Sequence, residues 1–224
     1  MLSGRPLSSL AVLASAIAIA GCGGGSDTTS SSKPFAPQAS LRAIGGTVRT
    51  DKPDLVIDVA MRSGDANIRS VAVNLPPVLL VDPTALGGVC GQGELETDEC
   101  AGQRPVGSAR AVSPAYGEPL AGPVYAVSGG GGNGLPRLAY LLSGPADILL
   151  YGRVVSKGGR IQAGVEDVPD TPLKSFQLRI AGGKPGYLIL SRDICAAEAV
   201  ADGTFTSQDG QVHREKIPLE ADCG

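Results

Sequence analysis

The chain has no tryptophan, only three phenylalanines and five tyrosines, and a single histidine. Stacking aromatic rings are the usual means of holding a sugar face, so their scarcity disfavours a sugar-binding module. Nineteen lysines and arginines stand against 22 aspartates and glutamates, with no long basic run, which disfavours nucleic acid as a partner. The lone histidine, His213, lies among charged residues 214–216, and this setting predicts a solvated face rather than a catalytic base.

Long hydrophobic runs are also missing, with one exception near the start of the chain. Residues 7–20 are apolar or small apart from three serines, and fourteen helical residues span roughly 21 Å against a bilayer core of ~30 Å. The run ends in Ile19-Ala20-Gly21-Cys22, a pattern typical of a bacterial lipoprotein signal. We therefore predict a signal peptide over residues 1–21 and an acylated Cys22. The alternative is an ordinary secreted protein with an incidental cysteine.

The segment after Cys22 has little apolar surface to bury. Its glycines, serines and threonines are typical of a flexible coil, so we assign residues 22–37 to a tether and residues 38–224 to the folded region. Two acyl chains on Cys22 would hold the protein stably on a membrane. The predicted location is therefore extracytoplasmic, on the outer face of the cell membrane or of an outer membrane if the host has one, with membrane lipid as a partner.

Cysteine is sparse but even in number once Cys22 is set aside. Cys90, Cys100, Cys195 and Cys223 remain in the exported region, which favours two disulfides. Three pairings exist, and we expect Cys90–Cys100 with Cys195–Cys223 because each then closes a local loop. A zinc site with four cysteine ligands needs pairs separated by two to four residues, and these spacings are too wide.

Helix signals are few, whereas period-two alternation recurs along the folded region. Glycine and proline together number 49, which fits many turns between short strands. Asp209-Gly210 lies between two strand-like runs and predicts a type I′ hairpin. Ile68 falls on the opposite face of its predicted strand from Val71, which predicts a β-bulge early in that strand. We expect an all-β, disulfide-bonded β-sandwich, or two small sandwiches in tandem. The strands are predicted over residues 55–61, 68–75, 106–112, 120–127, 138–142, 148–155, 160–165, 173–180, 187–190, 204–206 and 212–219.

Two further features concern boundaries and sites. Glycine-rich residues 129–134 and 158–159 are candidate boundaries between two sandwiches. The first of these superficially offers a dinucleotide motif, but it lacks the strand-to-helix setting, so no cofactor is expected.

Carboxylates cluster within residues 94–99 and 166–170, where solvated loops are the default and a calcium site is the alternative.

Several stretches resemble a β-rich domain of large, often repetitive exported bacterial proteins whose function is uncharacterised. The resemblance covers about residues 71–223, and it implies β-rich structure with paired cysteines but supplies no catalytic residues. The matching stretches are Cys100, Val106-Gly107-Ser108-Ala109, Leu120-Ala121-Gly122-Pro123-Val124-Tyr125, residues 166–170, Lys174-Ser175-Phe176, Gly182-Gly183, residues 190–195 and residues 204–210.

No nucleophile–base pair or metal-ligand spacing stands out in the sequence. The favoured function is therefore a non-catalytic structural or interaction role at the cell envelope, with an envelope polymer or protein as partner and no assigned oligomeric state. A solute- or glycan-binding lipoprotein is the first alternative. An unrecognised hydrolase is the second.

Overall fold

Strands dominate the folded region, as the alternation predicted. The computed structural model describes residues 34–85, 89–96, 100, 103–129, 134–196 and 198–224. The predicted signal peptide, Cys22 and most of the tether lie outside these residues. The described strands are β1 (Gln38–Ile44), β2 (Asp54–Ala60), β3 (Ile68–Asn74), β4 (Leu79–Val81), β5 (Gly107–Val112), β6 (Leu120–Val127), β7 (Arg137–Leu142), β8 (Ile148–Lys157), β9 (Arg160–Val165), β10 (Ser175–Ile180), β11 (Leu188–Leu190), β12 (Val200–Ser207) and β13 (Val212–Ala221). A one-turn helix α1 (Gln92–Glu96) and a 3₁₀ turn (Pro83–Ala85) are the described helical elements.

Eleven of these strands close into one barrel, in the order β1-β13-β12-β3-β9-β8-β7-β6-β5-β10-β2, with β2 paired back to β1. Every neighbouring pair is antiparallel except β1 and β13, which run parallel with Leu41 opposite Leu219. The all-β class is confirmed, but the predicted sandwich is replaced by a closed barrel. The physical reason is that β2 has a partner on both edges, so the sheet returns to itself and leaves no free edge.

The barrel mixes strands from both sides of each candidate boundary. Gly158-Gly159 is only the tight turn of the β8–β9 hairpin, in which Lys157 lies opposite Arg160. Beyond this turn, β9 pairs with β3, and β10 lies between β2 and β5. Two sandwiches in tandem would keep such partners apart. Of the other candidate boundary, residues 130–133 lie outside the described residues.

Side chains alternate between the barrel interior and the surface. In β10, Phe176, Leu178 and Ile180 line the interior side, whereas Gln177 and Arg179 are exposed. β12 follows the same period, with every second residue buried. Because a strand's side chains point alternately to opposite faces, these patterns place the apolar set inside the barrel.

The two ends of the barrel are covered differently. At one end, β4 and β11 form a separate two-stranded sheet whose Leu79 and Leu190 are fully buried. A short ion pair between Lys52 and Asp82, 2.6 Å from nitrogen to oxygen, lies beside this small sheet. At the other end, the β5–β6 loop (residues 113–119) and the β9–β10 loop (residues 166–174) border the interior.

The N-terminal segment of the described chain packs against the barrel. Phe35 is only 4% exposed and belongs to a cluster with Val59, Ile68 and Phe205. Its backbone N–H donates to the side-chain oxygen of Gln211 at 3.0 Å. The chain is thus held at the end of the barrel that carries the β9–β10 loop, since Val168 and Leu173 pack on the same cluster.

Two disulfides join the pairs expected from sequence, Cys90–Cys100 and Cys195–Cys223, each with a Cα–Cα distance of 5.7 Å. The first closes a loop that packs on the outer face of the wall, where Cys90 and Cys100 bury Ala139. The second ties the chain before β12 to the segment after β13, and therefore holds both ends of the final hairpin.

The local irregularities follow the sequence in part. The ladder between β3 and β12 shifts register between Thr206 and Ser207, which confirms the bulge expected near Ile68. The hairpin of β12 and β13 is also confirmed. Its turn is not type I′, because Gly210 takes a positive φ of 87° but Asp209 does not. The connection is a longer loop with a single left-handed glycine.

Candidate ligand-binding cavity

The barrel interior is wider than its side chains fill. Eight strands are just enough for side chains to close a barrel, so eleven leave space unless large residues occupy it. Here several inward positions are small instead, among them Ala111, Ala126 and Ala163. The aromatic scarcity seen in the sequence has the same consequence, because few large rings are present to fill the centre.

The larger cavity has a volume of about 150 Å³. An apolar cavity of that size is large enough for a benzene-sized molecule. Its wall is formed mostly by apolar side chains from eight strands of the barrel. The principal wall residues are Ile57, Val71, Leu142, Ile148, Leu150 and Phe176.

A smaller cavity of about 90 Å³ lies toward the end covered by the small sheet. Val81 of β4 and Leu188 of β11 form part of its wall. Ile57, Ala163 and Leu178 line both cavities, so the two adjoin at the level of these three residues. The combined space is elongated, because the larger cavity reaches the loops at one end of the barrel and the smaller cavity reaches β4 and β11 at the other end.

The mouth of the larger cavity is bordered by the β9–β10 loop and the β5–β6 loop. Val168 and Leu173 of the first loop and Tyr116 of the second line the cavity and are only partly buried. Ser113 holds the loops together, because its hydroxyl donates to the carbonyl of Pro172 and accepts from the N–H of Ala115 at 3.1 Å.

The chemistry of the wall is uncharged. Among the described residues that line the two cavities, there is no Asp, Glu, Lys, Arg, His or Cys. A charged ligand in this space would lose its hydration without gaining a counter-ion, which costs several kcal/mol. The space therefore suits an uncharged, largely apolar molecule.

Tyr140 contributes a buried hydroxyl to this largely apolar wall. Its side chain projects from β7 into the larger cavity, and the residue is only 4% exposed. Its ring meets Phe176 edge to face, with the ring centroids 6.2 Å apart. Burial raises the pKa of the Tyr140 hydroxyl well above its usual range, so this group stays neutral and protonated.

The residues that the sequence singled out lie away from this cavity. His213 is half-buried rather than solvated, on the same face as Phe205, with ring centroids 6.3 Å apart. Its Nε2 lies 4.0 Å from an oxygen of Glu215, and burial raises the pKa of that carboxyl. Neither residue lines either cavity.

The acidic clusters do not form a converging set of metal ligands within the described residues. Only Cys90, Glu94 and Cys100 bring three potential ligand atoms together there, and both sulfurs belong to a disulfide. The Glu94 carboxylate accepts the N–H of Gly91 at 2.7 Å at the start of α1. In the other cluster, Asp170 accepts from the Asn67 amide at 2.7 Å. Asp98 and Glu99 lie outside the described residues.

Sequence reasoning did not predict the cavity. Its residues come from strands far apart in the chain, and each looks like an ordinary inward-facing residue on its own. The local signal is weak: an alanine, Ala163, occupies an inward position of β9, and a small residue there does not reveal a cavity unless the opposing wall is known.

Comparisons with known proteins leave the family unassigned. No family model matches the chain, and no curated protein matches it. Among solved structures, a DUF4466 family protein from Parabacteroides merdae is similar at 10% identity with a TM-score of 0.33. The match covers 84% of this chain but only 46% of that one, and a TM-score of this size does not establish a shared fold. Within the described ranges, none of the helices has the length and apolar character needed to cross a bilayer.

Proposed function

We propose that this protein is an extracytoplasmic, lipid-anchored carrier that binds a small, uncharged, apolar molecule inside its barrel. The observation that carries this proposal is the apolar cavity of about 150 Å³, continued by one of about 90 Å³. Leaving such a space unfilled costs stability in proportion to its volume, by about 24 cal/mol per Å³ in measured cases. For the larger cavity this is roughly 3.6 kcal/mol, which a well-fitting apolar ligand recovers.

The sequence alone favours a structural or interaction role with an envelope polymer or protein, and this remains a prediction. A purely structural barrel gains nothing from an open interior, because tight packing stabilises it more. The solute-binding alternative is therefore the better supported one, with its ligand revised from a glycan to an apolar molecule. Among the described residues, no histidine, cysteine or carboxylate lines the cavities to serve as a catalytic base or thiol nucleophile, so the hydrolase alternative has no support there.

The proposed anchor places the cavity near lipid. The described chain is held beside the cavity mouth through Phe35, which lies thirteen residues after Cys22. A fully extended chain of that length reaches at most ~45 Å. If Cys22 is acylated, the tether keeps the folded region attached to the membrane, where apolar molecules are concentrated. The disulfides are consistent with an extracytoplasmic location.

A titration with N-phenyl-1-naphthylamine tests the binding proposal. This uncharged probe fluoresces in apolar surroundings, and the protein contains no tryptophan to interfere. We expect saturable binding of one probe per chain. The matched control is Leu149→Ala, which removes an exposed apolar side chain from the outer face of β8 and should leave the titration unchanged. Non-saturating fluorescence, or a loss of signal in the control, would reject the cavity as the binding site.

The anchor is tested separately. Cys22→Ala should abolish labelling by a radioactive fatty acid and release the protein from membranes. Unchanged labelling would refute the assignment of Cys22 without affecting the cavity.

A further inference from the structure

The hydroxyl of Tyr140 belongs to a residue that is only 4% exposed and lines the larger cavity, and it makes no hydrogen bond to another described residue. Tyrosine hydroxyls usually find a partner when buried. A hydroxyl that is removed from water without gaining a hydrogen-bond partner loses the free energy of its hydration. A buried, unpaired hydroxyl in a native protein therefore needs an explanation. Here the hydroxyl lies on the wall of a cavity, where a ligand could supply the partner.

The position of this hydroxyl is held by its neighbours. The Tyr140 ring lies over Gly152 of β8, so closely that a Cβ at Gly152 would lie 2.9 Å from Cε2 and 3.0 Å from the hydroxyl oxygen. Phe176 meets the ring edge to face, with the ring centroids 6.2 Å apart. Contacts with both neighbours therefore restrict where the Tyr140 ring can lie.

The other hydroxyls of the larger cavity are differently placed. Ser113 is committed to Pro172 and Ala115 in the loops at the mouth. Tyr116 and Thr171 belong to the same loops and are half-exposed, so water can satisfy them. Among the described residues of this wall, Tyr140 therefore offers a buried hydroxyl that is not committed to a protein partner and that a ligand in the cavity can bond.

We infer that Tyr140 hydrogen-bonds a single uncharged oxygen, such as that of an alcohol, ketone or ester, carried by an otherwise apolar ligand. This inference rests on the proposed binding function and narrows the class of ligand. A carboxylate is disfavoured, because no cation lines the cavity among the described residues to offset its lost hydration. A pure hydrocarbon would leave the hydroxyl unpaired and so binds less well than its oxygen-bearing analogue.

The test compares two probes of equal chain length, 1-octanol and octane, in wild type and Tyr140→Phe. Affinities are measured by displacement of N-phenyl-1-naphthylamine, after its own affinity has been determined for each protein. We expect Tyr140→Phe to weaken the binding of 1-octanol by about 2- to 10-fold, which is the usual contribution of one hydrogen bond. The affinity for octane should stay unchanged. Tyr125→Phe, which removes a tyrosine hydroxyl on the outer side of the wall, is the matched control and should change neither.

A second readout separates binding from a structural role. If the hydroxyl is unpaired in the free protein, Tyr140→Phe should keep or raise the melting temperature without ligand. If the hydroxyl bonds to the protein, the same change should lower it. Equal weakening of both probes, or a lowered melting temperature with no selective effect on 1-octanol, overturns the inference. If wild type binds neither probe, the proposed function fails and the inference fails with it. If both probes bind equally in both proteins, only the inference fails.

Discussion

Ala163→Leu tests whether the barrel interior is open, because the sign of its effect depends on the cavity. Ala163 lies in β9, lines both cavities and is paired in the sheet with Val73 and Val154. A leucine here adds three carbon atoms at the level where the two cavities adjoin. At ~0.8 kcal/mol per buried methylene, the added carbons contribute up to about 2.4 kcal/mol if the space is empty.

Ordering the leucine side chain costs about 0.5–1 kcal/mol, so we expect a net gain in unfolding free energy of about 1–2 kcal/mol. For a folded region of this size, that gain corresponds to a rise of about 3–6 °C in melting temperature. If the interior were instead well packed, the same substitution would overpack it and cost about 1–3 kcal/mol. The two cases therefore differ in sign and not merely in size.

Far-ultraviolet circular dichroism during urea unfolding measures the effect, since the chain has no tryptophan for fluorescence. The matched control is Ala139→Leu. Ala139 is 0% exposed and lies on the outer side of the wall, beneath the Cys90–Cys100 loop, away from either cavity. We expect this control to lose about 1–3 kcal/mol. If both variants lose stability alike, the cavity does not exist in solution and the carrier proposal loses its basis.

Three other predictions concern the frame of the barrel. Replacing Cys195 and Cys223 together by serine opens a 28-residue loop and should cost about 3.6 kcal/mol in the loop-entropy model; urea unfolding checks this, and an unchanged midpoint would contradict it. Hydrogen bonding from Lys52 lowers the pKa of Asp82 to about 2, so its stabilising contribution is fully present above the unfolded pKa of ~3.9 and is lost as the pH falls toward 2. Asp82→Asn should therefore flatten the loss of stability between pH 5 and pH 2, and an unaltered pH profile would show that the ion pair contributes nothing. Gly122→Ala places a Cβ 1.8 Å from a backbone carbonyl of the next strand, so we expect a loss of about 1–3 kcal/mol in thermal unfolding, against no loss for a substitution at an open strand position.

The strand positions and the final hairpin were the most predictable parts of the fold. β6 and β9 have the bounds expected from the alternation of their residues, and most other strands differ by one or two positions. The disulfide pairing could also be predicted, since both bonds close local loops. Such features depend on residues close together in the chain, where spacing and turn chemistry decide the outcome.

β1 and β4 were not predicted, for two different reasons. β1 carries alanine and serine rather than β-branched residues, so its inward set of Ala39, Leu41 and Ala43 gives only a weak signal. β4 has three residues and exists only because β11 pairs with it. In both cases a partner distant in sequence stabilises a strand that its own residues specify poorly.

By itself, the sequence determined the β-rich class, most strand positions, the final hairpin and the pairing of the cysteines, because each depends on local pattern or residue chemistry; the export signal stays a prediction. Only the tertiary structure decided that the sheet closes. Closure requires β2 to pair with β10, β3 with β9, and β1 with β13, and these contacts join distant parts of the chain. A period of two places side chains on one face but does not say whether that face meets a second sheet or curves around its own interior. The cavity and the buried hydroxyl of Tyr140 exist only because the sheet curves.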